Sequence, residues 1–202
     1  MNGTASPNPG QGDIDGLLAR ARACTICSGR LPHPPRPVVQ IGIAARIVLI
    51  GQAPSRRVHE GGRPWDDDAG GRLRNWLGLD EAVFYSPALA HMPMGLCYPG
   101  AARGGDAPPR PECAPHWHDV LLAAMPALRL RILIGRHALA RYLPPARSRP
   151  LGRLLREPAR LPGDIVVLPH PSRRNTPWLK KHAWFEADIV PQYRARVAAA
   201  LR

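Results

Sequence analysis

Lysine is almost absent from this chain: Lys180 and Lys181 are the only two, although lysine and arginine together number 28. The positive charge is therefore arginine charge, and chemistry that needs an activated amine has only those two neighbours to draw on. Acidic residues are scarce as well, 15 against the 28 bases, which leaves a formal net charge of +13. Part of that excess accompanies abundant alanine, glycine and proline and reads as compositional bias, but arginine still attracts phosphate, so a polyanionic partner is expected. Long apolar runs are missing too. The stretch 120–124 is typical of the longest and is far too short to span a bilayer. No basic segment leads into a long apolar one, so no signal peptide is expected. These absences predict a soluble, cytoplasmic, monomeric protein with no membrane contact. In that compartment its four cysteines are expected as metal ligands rather than disulfides.

At 202 residues and 45% hydrophobic, the chain has the material for one globular domain. Residues 1–12, rich in Gly, Pro, Asn and Ser, read as a flexible tail, and 13–202 as the single domain. Ile14, Leu17, Leu18 and Ala21 have helical spacing. Residues 46–50 read as a fully buried first strand, followed by Gly51-Gln52-Ala53-Pro54-Ser55 and a helix over 70–77. A second strand is expected to start at Val83-Phe84-Tyr85, then a long irregular segment over 91–111 and a helix over 112–124. Strand 129–134, helix 136–142, an Arg/Pro-rich connector over 144–162, strand 165–168 and a closing helix over 185–201 complete the pattern. Four short buried strands alternating with helices predict a three-layer α/β/α sandwich around a four-stranded parallel sheet.

The fourth strand ends in His170-Pro171-Ser172, then Arg173 and Arg174, with Asn175, Thr176 and Pro177 expected to delay any helix. Ligands bind at the carboxyl ends of strands in open α/β sheets. An imidazole, a hydroxyl and two guanidiniums there suggest an anionic substrate such as nucleic acid; the alternative is an ordinary loop with a surface histidine. The cysteines fall as Cys24-x2-Cys27 and Cys97-x15-Cys113. One tight and one widely split pair is less typical of zinc than of a Cys-ligated iron–sulfur cluster, the remaining alternative being four unrelated buried thiols.

This cysteine pattern resembles the 4Fe-4S ligand set of the iron–sulfur uracil-DNA glycosylases. The segment 97–113, CYPGAARGGDAPPRPEC, looks like that family's proline-rich loop. Gly51-Gln52-Ala53-Pro54-Ser55, Gly62-Arg63-Pro64-Trp65 and His170-Pro171-Ser172 resemble motifs of the wider superfamily, in the expected order. The resemblance implies a monofunctional DNA glycosylase that hydrolyses the N-glycosidic bond of uracil, or another deaminated base, flipped out of DNA in base-excision repair.

It also implies roles. Trp65, in place of the more common phenylalanine, would stack on the base; Ala53 would line the base site; His170 would donate to the departing base anion. Gln52 would hold the water, and Asp67, or second Asp68, would supply the carboxylate, with Asp68 the alternative cap of the helix over 70–77. Ser55 and Ser172 would bind phosphates, with Arg56, Arg57, Arg103 and Arg110 in support; Arg173 and Arg174 would enter the minor groove or fill the gap left by the base. Cys24, Cys27, Cys97 and Cys113 would hold a 4Fe-4S cluster. Neither lysine lies in a candidate motif, so simple hydrolysis is expected rather than Schiff-base lyase chemistry. Two departures mark a divergent branch: no asparagine precedes Cys97, leaving His91 to read the base edge, and Gln52 stands where an acid is usual. The competing readings are a non-catalytic iron–sulfur protein for DNA binding or damage sensing, and a zinc-stabilised nucleic-acid module.

Overall fold

A computed structural model describes residues 9–144 and 149–202. The first eight residues of the expected tail lie outside the described residues, and helix α1 (Pro9–Arg22) already includes its last four. Ile14, Leu17, Leu18 and Ala21 all point inward from α1, none more than 8% exposed.

Strands β1 (Ile47–Ile50), β2 (Leu89–His91), β5 (Leu130–Ile134) and β6 (Ile165–Leu168) form one parallel sheet in the order β2-β1-β5-β6. Its central register pairs Leu49 with His91 on one side and Ile132 on the other. Helices flank this sheet, giving the expected three-layer α/β/α sandwich. All four residues of β1 and of β6 are buried, because both faces of a parallel sheet are covered by helices. Truncating one of their Ile or Leu side chains to alanine costs about 2–5 kcal/mol. The chain runs from β1 outward to β2, then returns past β1 to β5. The sheet's direction thus reverses beside β1, the position where such folds open a crevice at the strand ends.

Five local expectations change. Residues 81–84 form a helical turn, α4 (Glu81–Phe84), rather than a strand, because Asp80 caps it by accepting from Val83 N at 2.7 Å. The irregular segment holds a small antiparallel hairpin, β3 (Ala101–Ala102) and β4 (Gly105–Asp106). Pro177 sits in the first turn of helix α8 (Thr176–Lys181), where its missing N–H costs nothing, so it starts a helix instead of delaying one. The connector holds α7 (Leu151–Arg156), while residues 145–148 of it lie outside the described residues. The closing helix begins as a π stretch, Phe185–Ile189, before α9 (Val190–Leu201). Pro191 removes one backbone donor at that junction, which accounts for the looser turn. The remaining α-helices are α2 (Arg56–Gly61), α3 (Asp68–Leu77), α5 (Cys113–Ala123) and α6 (Arg136–Tyr142), and short 3-10 turns cover Pro158–Arg160 and Arg173–Asn175.

Candidate active site and cysteine cavity

The loops leaving β1, β2 and β6 enclose a cavity of about 340 Å³, lined among others by Gln52, Ala53, Ser55, Trp65, Asp67, His91, Asp106, His170, Ser172 and Arg174. This size falls at the small end of ligand sites. The motifs at 51–55 and 62–65 therefore meet the distant one at 170–172 in one place.

Trp65 is held in an unusual backbone state. Its φ of 57° is the only positive value among the described non-glycine residues, a conformation that costs a bulky side chain on the order of 1–3 kcal/mol. Two glycines make room for it. A Cβ on Gly70 would stand 1.8 Å from the Trp65 carbonyl oxygen, and one on Gly51 would stand 2.7 Å from the indole. Tyr85 donates its hydroxyl to the Pro64 carbonyl at 2.9 Å, fixing the preceding peptide. The indole reaches His170 with ring centroids 6.0 Å apart and planes tilted by 40°. At that separation the rings are already in contact range, so a base cannot slide between them; it has to lie against Trp65 with His170 at its edge.

His170 is oriented by its own loop. The Ser172 N–H donates to Nδ1 at 3.3 Å, and Asn175 Nδ2 donates to the His170 carbonyl at 2.6 Å. An Nδ1 that accepts leaves the proton of the neutral ring on Nε2. That nitrogen has no partner among the described residues and is not sealed from solvent. Burial lowers the imidazole pKa from 6.5, with Arg174 adding to the shift and Asp67 opposing it. The ring is therefore neutral near pH 7 and offers one N–H to the cavity.

Gln52 donates Nε2 to the Ala107 carbonyl at 3.0 Å, which pins the hairpin loop and leaves Oε1 as an acceptor. Asp67 is fully engaged: Oδ2 accepts from Ser55 Oγ at 2.7 Å and Oδ1 from Gly70 N at 3.0 Å. Asp67, not Asp68, is the cap of α3. Asp68 begins that helix on the surface, pairs with Arg173 at 2.9 Å and lines a neighbouring hollow instead of the cavity. Ser55 caps α2 by accepting from Val58 N at 3.3 Å while donating to Asp67. Its hydroxyl is thus committed within the protein, contrary to the expected phosphate contact. Of the other expected phosphate ligands, Arg56 pairs with Glu60 and Arg110 with Glu112.

His91 departs most from expectation. It is 0% exposed, its Nε2 bonds the Phe84 carbonyl at 2.9 Å, and its Nδ1 is buried without a partner. Burial depresses its pKa to about 4. A nitrogen that water cannot touch cannot read a base edge, so His91 belongs to the cavity floor only.

The sequence reading missed Asp106, which lies inside the proline-rich loop and carries no motif. The hairpin brings it to the cavity rim, where its side chain keeps some exposure; partial desolvation raises its pKa from 3.8, with Arg174 opposing the shift and Asp67 adding to it. Its place in a short hairpin outside the main sheet left no local signal.

All four cysteines line a second, tight cavity with Ile26, Pro35, Pro37, Leu96, Arg110 and Trp117. They are free thiols. Leu96 N donates to Cys113 Sγ at 3.3 Å and Trp117 Nε1 to Cys24 Sγ at 3.2 Å. Burial pushes Cys97 up to about 11 and Cys113 up to about 12. Among the described residues, no three His, Cys, Asp or Glu side chains are gathered closely enough to hold a metal ion.

A parallel α/β/α sheet with a strand-end cavity walled by Trp65 and His170 is the arrangement in which open α/β folds bind ligands. The family model for the uracil DNA glycosylase superfamily matches residues 39–194, and the chain belongs to that superfamily. The family acts on DNA in base-excision repair. Among the described residues, no helix is long and apolar enough to cross a membrane.

Proposed function

We propose that the protein is a monofunctional DNA glycosylase that releases uracil or another deaminated base. The observation that carries this reading is the convergence of Trp65, Gln52, Asp106 and the Nε2–H of His170 on one cavity of about 340 Å³. Stacking on Trp65 contributes roughly 1–3 kcal/mol to holding an extruded base. As the N-glycosidic bond breaks, electrons move to the base and charge builds on a carbonyl oxygen attached to its ring. The neutral His170 N–H stabilises that charge without needing an extra proton. The sugar becomes oxocarbenium-like and attracts an anion and a water. Gln52 Oε1 orients the water, and Asp106 supplies the anion and takes the water's proton. Asp67 is a positioning residue, because both its oxygens are already occupied.

We propose a cluster rather than a single ion for the cysteine cavity, because all four cysteines line it while, among the described residues, no three are gathered closely enough to hold one metal ion. Four thiols face it, the rest of its wall is mostly apolar, and two N–H donors point at sulfur, the usual surroundings of a thiolate-held cluster. Cys24, Cys27, Cys97 and Cys113 would hold a 4Fe-4S cluster, which when bound would tie the end of α1 to the loop below the active site. Hydrolysis needs no electron transfer, so that role is structural. Iron and sulfide analysis with a visible spectrum separates it from colourless zinc.

Incubation with oligonucleotides carrying uracil, hypoxanthine or xanthine, followed by alkali, is expected to give strand breaks at the damaged base. Binding to these strands without base release would favour a non-catalytic damage-binding protein.

A further inference from the structure

A second hollow lies on the far side of the His170–Asn175 loop. It measures about 640 Å³ and is lined by Arg136, Arg153, Arg156, Asn175, Trp178 and His182, with no carboxylate in its wall. Trp178 and His182 stack face to face in its wall, with centroids 4.3 Å apart and planes 11° from parallel. Arg156 also lies over Trp184, 4.1 Å from the ring centroid. The ion pairs among the described residues leave these three arginines without an acidic partner. Asn175 lines both this hollow and the active-site cavity, so the two are separated by one loop.

We propose that this groove binds the DNA strand on one side of the flipped nucleotide, with arginines on the phosphates and a neighbouring base against the outer face of the Trp178–His182 stack. Three cations without an acidic partner beside an aromatic stack match a single strand, which offers phosphates and π-faces in alternation. Continuity with the cavity fixes which strand it is, the one that carries the excised base. This rests on the glycosylase reading, and it adds a length requirement that the catalytic cavity alone does not impose.

The test is fluorescence anisotropy with single strands that contain a cleavage-resistant 2′-fluorodeoxyuridine and are extended only 5′ or only 3′ of it. Wild-type protein is expected to gain tenfold or more in affinity from extension on one side and little from the other. R136A/R153A removes two exposed side chains, so its thermal unfolding should match wild type. It should lose the one-sided gain and flatten the slope of log affinity against log salt by about 1.4, at ~0.7 per single-strand contact. An unchanged gain and slope in R136A/R153A overturns the proposal, as does an equal loss on strands with no extension. Failure of the glycosylase reading looks different: no base release from any substrate, with the one-sided length dependence intact.

Discussion

The two ends of the active-site cavity use histidine in opposite ways. At the exit of β6, His170 accepts from Ser172 N and leaves its Nε2–H for whatever enters. At the end of β2, His91 spends Nε2 on the Phe84 carbonyl and has its Nδ1 sealed away. Both line the same space, and burial lowers both pKa values. Lining a cavity and acting in it are separate properties; the hydrogen bonds behind each ring decide between them. The largest expected effect follows from this. H170A should lose about 10²–10³ in the single-turnover rate of base release, the usual loss for one preorganised donor to a developing anion, while still binding uracil-containing strands. An H170A enzyme at wild-type speed would erase the distinction.

His91 should instead show itself in stability. Its folded pKa of about 4 lies below the 6.5 of the free ring. Above about pH 6.5 both folded and unfolded chains carry it neutral and it adds no pH dependence. As pH falls from there to about 4, only the unfolded chain takes up the proton, and stability drops by about 3 kcal/mol. His118, depressed to about 4 by the same burial, adds to the slope. Urea unfolding at pH 7 and pH 4.5 should therefore show a steep acid loss in wild type and a shallower one in H91L. H91L should start lower at pH 7, having lost its bond to Phe84. Were H91L to keep its stability and lose base release as H170A does, the floor would be part of the chemistry.

The carboxylates repeat the contrast on a smaller scale. Asp67 is bound on both oxygens, whereas Asp106 stands at the rim with its pKa raised above 3.8. D106N should slow base release about 10²-fold, the low end for a lost general base. The wild-type rate should fall as acid protonates Asp106, on a limb displaced upward from 3.8, and this limb should vanish in D106N. An unaltered acid limb in D106N would return the role to Asp67.

The contrast also explains what was legible in advance. Strand runs such as residues 47–50 and 165–168 announce themselves because both faces are buried and every residue is apolar. His170, Trp65 and Gln52 were legible because they sit at the ends of those strands or in short motifs beside them. Orientation was not. Nothing in the order Asp66-Asp67-Asp68 says which carboxylate meets Gly70 N, and nothing around His91 says that Phe84 turns its carbonyl toward the ring. Asp106 was invisible because only the hairpin fold brings it across the cavity.

The smallest effect concerns Ser55, where the resemblance and the geometry disagree. As a phosphate ligand its hydroxyl would face DNA; in the structure it donates to Asp67 Oδ2 and accepts from Val58 N. S55A removes a helix cap and leaves one Asp67 oxygen without its donor, a loss of about 1 kcal/mol. Because Ser55 and Asp67 share that bond, S55A and D67N should not add: a double-mutant cycle on unfolding free energy should show coupling of about 0.5–1 kcal/mol. DNA affinity and its salt dependence should hardly move, since no cation is lost. Coupling near zero, together with weaker DNA binding in S55A, would mean that the hydroxyl turns outward when DNA arrives. Asp67 would then be released from its bond at that moment, and the division between its structural role and Asp106's chemical one would hold only for the free protein.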